Sequence, residues 1–72
     1  HHRDRLDEVL QAARAQPVCA YDVLPVLFKR PLDLHQTTFA LGEAVAHLHR
    51  LWFGGQLRRT RDAEGIWRFA PA

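Results

Sequence analysis

Residues 33–55 constrain the fold more than any other part of the chain. Asp33 with Gln36 three positions later has the spacing of a capping box, and Gly54-Gly55 supplies residues able to close a helix in a left-handed turn. Between these marks Leu34, Thr38, Leu41, Val45, Leu48 and Trp52 recur in alternating steps of four and three. This predicts one helix, roughly 30 Å long at 1.5 Å per residue. The pattern covers fewer than three heptads and lacks charged flanking positions, which argues against a sustained coiled coil. A chain of 72 residues forms at most one small domain. A domain of that size buries only about 60% of the surface its unfolded chain exposes, so a complete large enzyme is excluded.

The flanking segments supply the other elements. Leu6, Val9, Leu10 and Ala13 fall at helical spacing among Arg3, Asp4, Asp7, Glu8, Gln11 and Arg14, which predicts an amphipathic first helix. Pro17 ends it, having no amide proton to donate and disfavouring helix at the residue before it. Val18, Cys19 and Ala20 suit a very short strand or extended link. Asp22 is a candidate N-cap for a short second helix over Val23–Phe28, where Pro25 is tolerable because first-turn amides have no intrahelical partner. After the glycines, Gln56–Thr60 and Ile66–Phe69 read as strands joined by the polar loop Arg61-Asp62-Ala63-Glu64-Gly65. Trp67 and Phe69 then share one face of a hairpin, and one of its two faces must cover the helices. The expected fold class is α+β, mainly α: three helices and a C-terminal two-stranded wing, a single winged-helix domain over residues 1–72.

Composition narrows the setting. Apolar residues are 47% and charged residues 25% of the chain, ordinary globular proportions that exclude a disordered tail. Cys19 is the one cysteine, so an internal disulfide and a zinc ribbon are both excluded and a reducing, cytoplasmic location is expected. Apolar runs such as Val23–Phe28 are far shorter than the roughly 20 residues of a membrane-spanning helix, and no signal peptide opens the chain. The absence of methionine leads us to expect a segment cut from a longer protein.

No catalytic constellation emerges. The chain has no serine, which rules out a Ser-His-Asp triad, and no glycine-rich phosphate loop. Five histidines invite a metal, yet His47 and His49 lie two apart, about 200° around a helix, whereas a helical pair of ligands needs a step of three or four. One of them should line the edge of the core and the other face water. His1 and His2 open the chain as a linker or a tag remnant. Cys19 has no base placed beside it by sequence, and the consecutive Asp7 and Glu8 point in different directions.

The remaining chemistry is charge. Arg50, Arg58, Arg59, Arg61 and Arg68 against Asp62 and Glu64 concentrate positive charge after His49. In a winged helix the third helix enters the major groove while the wing touches backbone, and Arg58, Arg59, Arg61 and Arg68 suit the second task. The third helix suits the first poorly. No lysine or arginine lies between Arg30 and Arg50, Asp33 and Glu43 are present, and only His35, Gln36, Thr37 and Thr38 could address bases. Phe39, Trp52 and Phe53 are more aromatic surface than a small core can absorb, which would favour docking to a protein partner.

Two clusters of residues carry a family resemblance. His1, Arg5 and Val9 stand at the spacing of one family's opening histidine, arginine and aliphatic residue. His47-Leu48-His49-Arg50-Leu51, then Gly55 and Leu57-Arg58-Arg59, match its helix ending in His-Leu-x-x-Leu before a glycine and a basic strand, and Trp67 occupies a frequent aromatic position of the last strand. Over essentially its whole length the chain resembles the winged-helix domain that follows the catalytic domain in a branch of the metallo-β-lactamase-fold hydrolases. It departs from the pattern at His2 and Leu6, where the family commonly has arginine and glutamate. The resemblance implies a cytoplasmic zinc-dependent hydrolase whose ligands, a His-x-His-x-Asp-His cluster and others, lie upstream. It places no catalytic residue, metal ligand or cofactor within residues 1–72, and it implies an upstream catalytic domain as partner, with His1 and Arg5 as interdomain contacts. Some relatives act on nucleic acid, in which case the wing arginines would guide the substrate backbone. The alternative function is a nucleic-acid-binding module using that basic wing.

Overall fold

The computed structural model describes residues 2–72, with side chains described from Asp4 onward. His1, expected at an interdomain contact, lies outside the described residues. The order is α1 (His2–Ala15), a 3-10 turn (Tyr21–Val23) running into α2 (Leu24–Leu27), α3 (Leu34–Phe53), β1 (Leu57–Arg61) and β2 (Trp67–Pro71). This is the expected winged helix, mainly α, with an antiparallel hairpin as the wing.

Helix α1 presents Val9 and Ala13 to the core with Leu6, Leu10 and Ala12 beside them, and Asp4, Arg5, Asp7, Glu8 and Arg14 are exposed. Asp4 in its first turn and Arg14 in its last complement the helix dipole. Past Pro17 the chain extends, and Val18 exchanges two backbone hydrogen bonds with Phe69, donating at 3.0 Å and accepting at 2.7 Å. The short strand expected at 18–20 is therefore a single bridge that lays a third rung along β2. Asp22 is not an N-cap. It lies inside the 3-10 turn, and its carboxylate turns back to accept the amide of Cys19 at 3.0 Å. The α-helical part of the second helix is only Leu24–Leu27, with Pro25 in its first turn.

The capping box of α3 forms as expected. The Asp33 carboxylate accepts from the Gln36 amide at 2.7 Å, and the Gln36 side chain accepts from the Asp33 amide at 3.2 Å. At the other end Gly55, rather than Gly54, takes the left-handed conformation (φ +80°). Gln56 N–H then reaches Leu51 O at 2.9 Å and Gly55 N–H reaches Trp52 O at 3.0 Å, the two bonds of a Schellman motif.

The buried side of α3 differs from the predicted stripe. Ala40, Ala44, Leu48 and Leu51 face the core, Leu41 and Trp52 lie at its edge, and Leu34 and Val45 are exposed. Small residues explain the rotation: alanines give weak periodicity signals, yet they let a crossing helix approach at the short end of the 8–10 Å range. The core is completed by Val23, Leu24, Leu27, Leu57 and Phe69. In the wing the register runs Leu57 opposite Pro71 to Arg61 opposite Trp67, so Leu57, Arg59 and Arg61 share the helix-facing side with Phe69 and Trp67. Phe69 is buried, while Trp67 is only partly covered.

Candidate functional site

Two surfaces compete as the functional site, the wing and the outward side of α3. The wing is built on Asp62. Its Oδ1 accepts from Glu64 N–H at 2.9 Å and from Ile66 N–H at 3.0 Å, closing the loop, and Gly65 completes the turn at φ +83°. Its Oδ2 accepts Arg68 Nε at 3.0 Å, and Arg68 Nη1 donates to Asp22 Oδ2 at 2.8 Å. Arg68 thus clamps the wing to the 3-10 turn. The Ile66 amide, then Arg68, hold the Asp62 carboxyl below its ordinary value, and the same hydrogen bond to Asp62 raises the Arg68 guanidinium above its own.

Arg59 is held differently. Its guanidinium carbon lies 3.9 Å from the centre of the Trp52 ring and 4.0 Å from that of Trp67, with Arg61 5.3 Å from the far ring. Cation–π attraction therefore ties the end of α3 to the hairpin. Of the four wing arginines, Arg68 and Arg59 are engaged in these internal contacts, Arg61 flanks Trp67, and Arg58 is exposed with no ion pair or ring contact among the described residues. Arg5 is exposed on α1. Sequence reasoning did not find this Trp52–Arg59–Trp67 stack, because the pairing depends on the strand register.

The outward side of α3 is of opposite character. Glu43 and Arg50 are the only Asp, Glu, Lys or Arg residues in its twenty. Phe39, Gly42, Ala46, His49 and Phe53 recur in steps of three and four and form a second seam, exposed at four of these positions and half-buried at His49, which borders the core at Phe69. Phe39 and Phe53 are 69% and 75% exposed, which a core aromatic would not be. His49 packs between Trp52, Phe53 and Phe69 at 5.7–6.0 Å, and His47 Nδ1 lies 2.7 Å from Glu43 O. Both histidines are half-buried, so neither faces open water. A cleft of about 220 Å³ lined by Leu6, Glu43, Ala46, His47 and Arg50 borders this seam on the α1 side.

Gly42 is the informative member. A Cβ built there meets nothing within 4 Å. Glycine inside a helix costs roughly 0.5–1 kcal/mol relative to alanine, and no contact among the described residues requires it. The signal was present in the sequence as the seven-residue steps Phe39, Ala46, Phe53, but the larger residues of the other stripe outweighed it.

The family profile described as "Metallo-beta-lactamase-like, C-terminal domain" matches residues 6–72. The chain belongs to this family of C-terminal domains. The crystal structure of a beta-lactamase domain protein from Burkholderia ambifaria is similar over all of the chain, with 48% identity and a TM-score of 0.97. The chain spans only 22% of that protein's length. No curated protein matches it.

The family name implies a metal in the longer proteins. Among the described residues of this domain no three His, Cys, Asp or Glu side chains are grouped so that they could hold one. The described donor set does not fit a metal. Cys19 is a half-buried free thiol. No helix among the described residues is long and apolar enough to cross a membrane.

Proposed function

We propose that this is the non-catalytic C-terminal accessory domain of a zinc-dependent metallo-β-lactamase-fold hydrolase of the cytoplasm, packing on the upstream catalytic domain and shaping substrate access. Membership in the metallo-beta-lactamase-like C-terminal family supports that parent. The single observation that supports packing is the outward side of α3, nearly free of charge yet carrying two largely exposed phenylalanines. A soluble helix normally turns such a face towards something apolar.

Removal of residues 1–72 from the full-length protein tests the reading. We expect the remaining catalytic portion to keep its zinc, measured by plasma mass spectrometry, while its melting temperature falls and its preference among substrates of different size changes. Unchanged stability and preference would reject an accessory role, and a full-length protein without zinc would reject the hydrolase. Nucleic-acid contact through the wing is less well supported, since Arg59 and Arg68 are occupied internally. It rests on Arg58 and Arg61, and its signature would be a salt dependence of binding that flattens when both are replaced.

A further inference from the structure

We propose that the upstream domain of the same polypeptide seats on the outward seam of α3, from Phe39 through Gly42, Ala46 and His49 to Phe53, and leaves the wing outside the contact. This rests on the reading that the domain packs on its catalytic neighbour, and it names the face.

Three observations select this occupant and this face. The first is where the rest of the polypeptide attaches. The family is a C-terminal domain and the matched structure's chain is several times longer, so the neighbour is joined ahead of α1. Leu6 lines the cleft with Glu43, Ala46, His47 and Arg50, and it lies four residues, a rise of about 6 Å, from the start of α1 at His2. A domain tethered there meets the α1–α3 cleft at high effective concentration.

The second is Gly42. It is exposed in the middle of a twenty-residue helix and has open space where a side chain would be. None of the described residues uses that space. A neighbour whose backbone or side chain comes close to the helix axis would use it.

The third is the shape and polarity of the seam. Phe39 and Phe53 stand at its two ends, roughly 21 Å apart along the helix, with glycine and alanine between them. The surface is a saddle without charge, bordered by Glu43 and Arg50. It fits a convex apolar element with polar groups at its rim, the arrangement of a packed interdomain contact.

The test is thiol protection in the full-length protein. Single cysteines are introduced as Ala46→Cys and Phe53→Cys on the seam and as Arg58→Cys and Thr60→Cys on the wing, and maleimide labelling of each peptide is timed by mass spectrometry. All four positions are exposed in the domain itself. We expect the seam thiols to react at least about 10-fold more slowly than the wing thiols, at every protein concentration. Equal, fast labelling at all four sites would overturn the seam as the contact, and the underlying reading would fail with it if removal of the domain also left the melting temperature of the remaining protein unchanged. Protected wing thiols beside reactive seam thiols would keep packing and overturn the face. Seam protection that disappears on dilution, together with a dimer in sedimentation, would make the occupant a second copy and overturn the proposal.

Gly42→Leu supplies a second arm. Because a Cβ there meets nothing, the domain should keep its helical content while the Ala46→Cys thiol becomes as reactive as those on the wing. Continued protection would refute close approach at Gly42.

Discussion

The wing carries four of the chain's ten Lys and Arg residues and engages two of them internally, whereas the outward side of α3 carries almost no charge and leaves large apolar side chains exposed. Arg68 is held by Asp22 and Asp62, and Arg59 lies between Trp52 and Trp67. Phe39 and Phe53 are largely exposed, even with Phe53 resting on Trp52 at 4.8 Å. Charge counted along a sequence therefore measures attraction at long range. It does not measure which groups remain available once the chain has folded.

The comparison is sharpest when the inward and outward sides of α3 are cut back in turn. Leu48 is fully buried among residues of every helix, so Leu48→Ala should cost about 2–5 kcal/mol of domain stability. Phe53→Ala removes a larger side chain that is 75% exposed and stacks on Trp52 at 4.8 Å, and the expected loss is no more than about 1 kcal/mol. Urea unfolding of the two variants measures both. A loss at Phe53 as large as that at Leu48 would mean that this ring stabilises the domain itself, and the outward face would no longer be in search of a partner.

Within the wing the same contrast separates neighbouring arginines. Arg59→Ala removes the cation from between two indoles and should cost about 1–2 kcal/mol, with a change in tryptophan fluorescence as Trp52 and Trp67 lose their shared neighbour. Arg58→Ala, one residue away and on the opposite face of the strand, should change stability by less than about 0.5 kcal/mol. Equal effects would show that the stack contributes nothing and would return Arg59 to the set of available cations.

These differences mark what was legible beforehand. The elements were, because each rests on local chemistry: the Asp33/Gln36 box, the glycine after Phe53, the proline after α1, and the polar loop ending at Gly65. The facing of α3 was not, since Leu34 and Val45 have the size of core residues while Ala40 and Ala44, which do the packing, are inconspicuous in a sequence. Asp22 was read from its local role as a cap. Its use by Arg68 depends on a contact across 46 positions, which spacing along the chain cannot reveal. The Arg59 stack was hidden for the same reason. The family pattern pointed to the parent protein, but it carried no information about which side of this domain is left uncovered.

The smallest effect tests the Asp62 node through pH. Ile66 N–H, followed by Arg68, holds the Asp62 carboxyl below its ordinary value, so the native state keeps it ionised further into acid than the unfolded chain does. Its contribution is complete above the unfolded value of about 3.9 and is lost as pH falls through the lower folded value. Arg68 titrates in the opposite sense and far into alkali, so it keeps its charge throughout the acid window and adds nothing to the slope there. The melting temperature should therefore drop as pH falls below about 4, and Asp62→Asn should reduce that drop while lowering stability at neutral pH, where the charged contact to Arg68 is missing. The size is limited by solvent at the wing surface, and the other carboxylates will leave a residual slope. An Asp62→Asn variant with the same acid slope and the same neutral stability would mean that Asp62 only shapes the loop, and that the wing is joined to the 3-10 turn through Asp22 alone.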